Sequence, residues 1–171
     1  MPSTIRERGI KSFPRVVQDI APPAGDCPAP LRYTIDVGWG DCDPAQIAYT
    51  GRIPEWGLRA IENWYRQWLG ADWYDINLKQ GLGTPFVALD CQFTRPITPE
   101  SKLDTITYVT RLGEKSVSHK VTGFQDQELC FTLNTTAAFV DARSMSSVSI
   151  PSQARQRIQQ YIDCQDGPPG A

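Results

Sequence analysis

The chain has 171 residues, of which 40% are hydrophobic and 21% charged, with 17 Lys plus Arg against 19 Asp plus Glu and a net charge of −2. That balance suits one soluble domain with its own core and argues against the broad basic surface that draws a protein to nucleic acid. No apolar run reaches the roughly 18 residues of a membrane-spanning helix. The five cysteines, Cys27, Cys42, Cys91, Cys130 and Cys164, form no CxxC pair. With no apolar stretch behind the charged N-terminus, free thiols in the cytoplasm are expected.

Residues 1–30 read as an arm. Pro14, Pro22, Pro23, Pro28 and Pro30 interrupt any long element, with room for a short helical turn near 10–20. The main domain is expected over 31–150, and a C-terminal helix and fraying tail over 151–171. From Leu31 to Trp39 the chain alternates: Leu31, Tyr33, Ile35, Val37 and Trp39 share one face, and Arg32, Thr34 and Asp36 the other. This predicts a half-buried strand.

The strand runs into Asp41 and Asp43, two carboxylates one residue apart, and Pro44 stops it. Ile53, Trp56, Gly57, Ala60, Ile61, Trp64 and Trp68 then recur at helical spacing, with Pro54 and Glu55 in the first turn and Gly70 as the stop. Acids at such a junction sit beside free backbone N–H groups and the positive end of a helix dipole. Gly57, on the apolar face, is expected to let the helix lie close to a sheet.

Residues 71–84 read as a loop. Four strands follow over 86–95, 102–112, 116–124 and 129–141, separated by Pro96 to Pro99, by Gly113-Glu114 and by Gln125-Asp126-Gln127. Short connections imply an antiparallel meander. A last helix is expected from Ser152 to Asp163. One helix with three Trp on its apolar face needs a sheet curled round it, giving an α+β domain. The sheet's open edges predict pairing with a second copy.

The run Gly40-Asp41-Cys42-Asp43-Pro44-Ala45 and this order of elements resemble the hot-dog-fold acyl-CoA thioesterases of the 4-hydroxybenzoyl-CoA thioesterase type. Gly83-Thr84-Pro85-Phe86-Val87 with Phe93, and Lys115-Ser116-Val117, match the same pattern. The resemblance covers roughly residues 31–142. It implies a curled antiparallel sheet round one central helix, a homodimer or dimer of dimers, and hydrolysis of an acyl-CoA with a small aromatic or polar acyl group. It implies that coenzyme A enters as part of the substrate, with no further cofactor and no metal.

Carried over residue by residue, the resemblance makes Asp43 the carboxylate that attacks the thioester carbonyl or activates water. It makes the backbone N–H of Thr50 the oxyanion donor. Gln46, Tyr49, Arg52, Thr84, Arg111, Lys115 and Ser116 become the substrate-binding set, the last three toward the phosphates of coenzyme A. Gln46 stands where the family often has Gly, and Arg52 where it commonly has Asn. Both departures bear on which acyl group is taken.

Each feature also has a plainer reading. Asp43 and Asp41 can be turn-formers, and Cys42 a small buried residue. Thr84 can be a local turn hydroxyl. His119, the only histidine, alternates with Val117 and Val121 and reads as a satisfied or partly exposed strand residue. That disfavours His-dependent triads and metal sites. An acyl-carrier-protein thioesterase, a hydratase on the same fold and a non-catalytic acyl-thioester-binding protein remain as alternatives.

Overall fold

In the computed structural model, residues 29–165 are described; the readings of an N-terminal arm and of a tail at 167–170 fall outside them, apart from residues 29–30 of the arm. The chain runs β1 (Leu31–Ile35), α1 (Arg52–Trp64), β2 (Leu82–Gly83), β3 (Phe86–Phe93), β4 (Leu103–Leu112), β5 (Ser116–Gln125), β6 (Glu128–Ala138), β7 (Val140–Asp141) and α2 (Ser152–Cys164). Five strands form one antiparallel sheet in the order β1-β4-β5-β6-β3, and β2 and β7 make a separate two-stranded ribbon. This is the hot-dog arrangement: a curled sheet with α1 lying against its inner face.

Helix α1 forms where expected, and its apolar stripe is the core. Ile53, Trp56, Gly57, Ala60, Ile61 and Trp64 are buried, and Trp68 follows them in. On the inner face of the sheet they meet Leu103, Val109, Val117, Val121, Phe131 and Leu133. Gly57 permits the approach. A Cβ built there would stand 2.4 Å from Leu133 Cδ2, closer than any real contact. Helix α2 packs beside α1 and ties the sheet's other margin. The Tyr161 hydroxyl donates to the Thr107 carbonyl at 2.6 Å and accepts from the Leu31 N–H at 2.8 Å.

Five expectations need correction. Strand β1 ends at Ile35, opposite Leu103, where its partner strand begins. Alternation buries a face only while the strand is paired, so Trp39 swings out on a 3-10 turn (Trp39–Asp41) and is 71% exposed. The α-helix stops at Trp64 and continues as a wider π-turn over Tyr65–Leu69, closed by Gly70 at φ 71°. The 71–84 segment is no plain loop, for it holds a second π-turn (Asp75–Lys79) and strand β2. The last strand breaks after Ala138: the Phe139 N–H turns to the Lys115 carbonyl at 2.7 Å, and β7 pairs with β2 instead.

The fifth concerns topology. Strands β4, β5 and β6 do form a meander, but β3 pairs with β6 and leaves its other edge free. The 94–102 connection therefore crosses over to reach β4. Gln125, at the end of β5, clasps that crossover. Its Oε1 accepts from the Thr98 N–H at 2.9 Å, and its Nε2 donates to the carbonyls of Thr98 and Ser101 at 2.8 and 2.7 Å.

Candidate active site

The 41–50 segment folds back on itself as a tight loop. The Tyr49 N–H donates to the Asp41 carbonyl at 2.8 Å, the Asp43 N–H to the Ile47 carbonyl at 2.9 Å, and the Gln46 N–H to the Asp43 carbonyl at 2.9 Å. Cys42 bridges Ala48 across the loop. The Ala48 N–H reaches the Ile97 carbonyl at 2.7 Å, anchoring the loop on the crossover that Gln125 holds. Sequence reasoning missed Gln125 as part of this support. Its only signal was a polar residue one step from a turn.

Within the loop the two acids differ. Asp41 accepts from the Gly38 N–H at 3.0 Å through one oxygen and meets Arg52 Nε at 3.4 Å through the other. It holds the turn, as expected. Asp43 accepts from the Ala45 N–H through Oδ1 at 2.8 Å, an Asx-turn bond that orients the carboxylate. No other protein partner is seen for its Oδ2 among the described residues. The turn role and a chemical role are thus compatible in one side chain. Cys42 is half-buried, with its thiol directed to the Gly38 carbonyl at 3.7 Å.

Gln46 adopts φ 65°, the left-handed conformation that glycine takes without cost. The turn keeps its shape despite the larger residue, and the Gln46 side chain projects into solvent. Tyr49 is also exposed, and its ring lies over the start of α1, where a Cβ on Gly51 would come within 2.8 Å of it. Arg52 pairs with Glu55 at 3.2 Å as well as with Asp41, so its guanidinium braces the loop to the helix.

The helix start supplies donors. The N–H groups of Thr50 and Gly51 have no acceptor among the described residues, whereas those of Arg52 and Ile53 are bonded back to Tyr49 and Thr50. Both stand at the positive end of a 13-residue helix. A carboxylate and unoccupied N–H donors therefore share one exposed loop. That combination can attack or hydrate a carbonyl and hold the resulting oxyanion.

The remaining residues of the expected site lie elsewhere. Within one chain, the loop that carries Asp43 is tied through Ala48 to Ile97, just past the Phe93 end of β3. Thr84 precedes the Phe86 end. Lys115 and Ser116 open β5, whose Val117 pairs with Ala137, itself opposite Phe86. Strand β3 is eight residues long, so the two ends are roughly 20–25 Å apart. Arg111 and Lys115 are exposed beside the β4–β5 hairpin, and that hairpin is held by Arg155, which donates to the carbonyls of Gly113 and Glu114. One chain does not unite these residues with Asp43.

His119 departs most from expectation. It is 1% exposed, its ring packs edge-on to Trp64 at 4.8 Å, and neither nitrogen finds a partner. Burial pushes its pKa down to about 3. Among the described residues no three His, Cys, Asp or Glu side chains converge on a point that could hold a metal ion. No helix of the described residues is long and apolar enough to cross a membrane.

Comparison with known proteins supplies the context. The Thioesterase-like superfamily pattern matches residues 37–158. A thioesterase-superfamily structure from Jannaschia sp. CCS1 is 38% identical, with a TM-score of 0.75 over 83% of this chain and 96% of that one. A 1,4-dihydroxy-2-naphthoyl-CoA thioesterase from Synechocystis shares the fold at 16% identity, with a TM-score of 0.69 over 75% of this chain and 94% of the other. So does a Staphylococcus aureus protein solved with CoA, at 11% identity and a TM-score of 0.71 over 80% and 85%. A search of curated protein sequences returned no match.

Proposed function

The chain belongs to the Thioesterase-like superfamily, and from that premise we propose that it hydrolyses an acyl-CoA whose acyl group is small and aromatic or polar. The observation that carries this reading is Asp43 on a rigid loop beside the acceptor-free N–H groups of Thr50 and Gly51. A thioester carbonyl seated at the helix start places its oxygen on those donors. Water adds to the carbonyl carbon as Asp43 takes its proton, the C–S bond breaks, and the thiolate leaves and collects the proton. In the alternative route an Asp43 oxygen itself adds to the carbonyl carbon, the C–S bond breaks to release the same thiolate, and water hydrolyses the resulting anhydride to the free acid and the Asp43 carboxylate. A thiolate is a good leaving group, so neither route needs a strong acid.

The working unit is a dimer joined along β3. That strand's free edge carries Val87, Leu89 and Phe93, all exposed large apolar side chains, as an unpaired edge seldom does. Antiparallel pairing of two β3 strands sets the Phe93 end of one chain against the Phe86 end of the other. Thr84, Lys115, Ser116 and Arg111 of one protomer then come to the partner subunit's Asp43. This is how residues that one chain keeps apart would serve one substrate, with the basic pair toward the phosphates of coenzyme A. The solved Staphylococcus aureus relative with CoA and the naphthoyl-CoA thioesterase fit the same reading. Four cysteines (Cys42, Cys91, Cys130 and Cys164) are free thiols, in keeping with a reducing cytoplasm.

Free-thiol release from a panel of acyl-CoA and acyl-carrier-protein thioesters, read with Ellman's reagent, tests the proposal. Release from acyl-CoA above the uncatalysed rate is expected. Hydration of an enoyl-CoA without thiol release, or binding without turnover, would replace it with one of the other two readings.

A further inference from the structure

Behind the loop that carries Asp43 runs a line of hydrogen bonds that passes through two backbone peptides. It starts at Gln125, whose side-chain Oε1 accepts from the Thr98 N–H at 2.9 Å. That N–H shares its peptide with the Ile97 carbonyl, which accepts from the Ala48 N–H at 2.7 Å. The Ala48 N–H in turn shares its peptide with the Ile47 carbonyl, which accepts from the Asp43 N–H at 2.9 Å. A trans peptide is planar, with its N–H and C=O on opposite sides. Fixing one end of each unit therefore aims the other, and the direction set at Gln125 is handed on to Asp43. All three bonds run the same way, so each polarises the next.

Gln125 is suited to start this line. Its amide takes both backbone groups of Thr98, the N–H through Oε1 and the carbonyl through Nε2 at 2.8 Å. A residue on a neighbouring antiparallel strand would pair with Thr98 in the same manner. The other Nε2 proton goes to the Ser101 carbonyl at 2.7 Å, so both donors of the amide are used. Thr98 lies in the crossover, outside every strand, and this one side chain stands in for a strand partner. Gln125, Ile97 and Ala48 are all buried, so water does not readily replace a bond lost here.

We propose that Gln125 is a positioning residue for thioester hydrolysis, a buried amide that sets where Asp43 stands by fixing the Ile97–Thr98 peptide. This rests on the hydrolase reading above. The other ties on Asp43 are internal to its turn: the Ala45 N–H on its Oδ1 and the Gln46 N–H on its carbonyl. Those bonds orient the carboxylate within the loop, whereas the relay places the loop on the sheet. The brace from Arg52 to Asp41 is a partly exposed ion pair at 3.4 Å, and such pairs hold little. A reacting group misplaced by about 1 Å costs up to about a hundredfold in rate, so an amide two peptides away is felt in the chemistry.

The test compares the wild type with Gln125→Met and Gln125→Glu. Methionine nearly keeps the shape and gives up all three bonds. Glutamate keeps an oxygen for the Thr98 N–H and lacks the two N–H donors. On the acyl-CoA that the wild type turns over best, Gln125→Met should lose about tenfold or more in kcat with KM within about twofold. Gln125→Glu should stay within about threefold in kcat, although both variants melt below the wild type. In an Asp43→Asn background, Gln125→Met should change the remaining rate by less than about twofold, because its effect passes through Asp43. Wild-type kcat in Gln125→Met, equal kcat losses in the two variants, or a full further loss on top of Asp43→Asn would overturn the proposal. Amide hydrogen exchange reads the relay without turnover: protection of the Ala48 N–H should fall in Gln125→Met and persist in Gln125→Glu. That pattern in a protein that hydrolyses nothing keeps the relay and removes the hydrolase. Equal Ala48 protection in the wild type and Gln125→Met removes the relay whatever the activity. Should Gln125→Met not fold, lost Ala48 protection in a folded Gln125→Glu overturns the relay, and kept protection upholds it.

Discussion

His119 carries a proton cost that the fold can be made to reveal. An unfolded histidine has a pKa of 6.5, and burial lowers it to about 3 in the native state. Between those values the unfolded chain binds more protons than the folded one, so stability rises with pH and is lost as pH falls. The slope from this one group is at most about 1.4 kcal/mol per pH unit. Denaturant titrations at pH 7 and pH 5 should therefore differ by up to about 2 kcal/mol in the wild type through this group. In His119→Phe that part of the difference should vanish. An unchanged pH dependence in the variant would mean that His119 is solvated or paired in solution. Asp43 is a different case. Its structural bond runs through Oδ1 to the Ala45 N–H, and the amide of Asn keeps that acceptor. Asp43→Asn can thus remove the charge and leave the turn, which separates the side chain's structural bond from its proposed chemistry.

At the scale of elements, α1 owes its place to Gly57 as much as to its tryptophans. An exposed Gly→Ala change in a helix gains about 1 kcal/mol. Here the added methyl would meet Leu133 at 2.4 Å. We expect Gly57→Ala to lower stability by about 1–3 kcal/mol, the range for overpacking, measured by thermal or denaturant melting. A more stable variant would show that the helix can move off the sheet freely. The helix was legible in sequence because Trp56, Trp64 and Trp68 repeat at its own period, and so was the place of Asp43 in a turn between a strand and a helix. The place of β3 was not legible. Its pairing with β6 depends on a crossover that no local pattern encodes, and Gln125, which holds it, looks like any turn residue. Trp39 misled because alternation continued past the point where β1 loses its partner.

For the whole molecule, the proposed dimer through the exposed apolar side chains of β3 is a claim about how many chains make a site. Val87 and Phe93 stand on the free edge at 65% and 49% exposure. A lysine at each would set like charges against each other across a paired edge. The Val87→Lys/Phe93→Lys variant should sediment as a monomer, keep a folded circular-dichroism spectrum and lose about a hundredfold or more in thioester hydrolysis, since the groups that position substrate would be parted. Full activity in a monomeric variant would place the entire site within one chain.

The most direct test of the central claim is thiol release by Asp43→Asn beside the wild type, on whichever acyl-CoA the wild type turns over best. The account predicts a fall in kcat of about 10²–10⁴-fold, with melting temperature and dimer mass unchanged. Hydrolysis at or near the wild-type rate would contradict it.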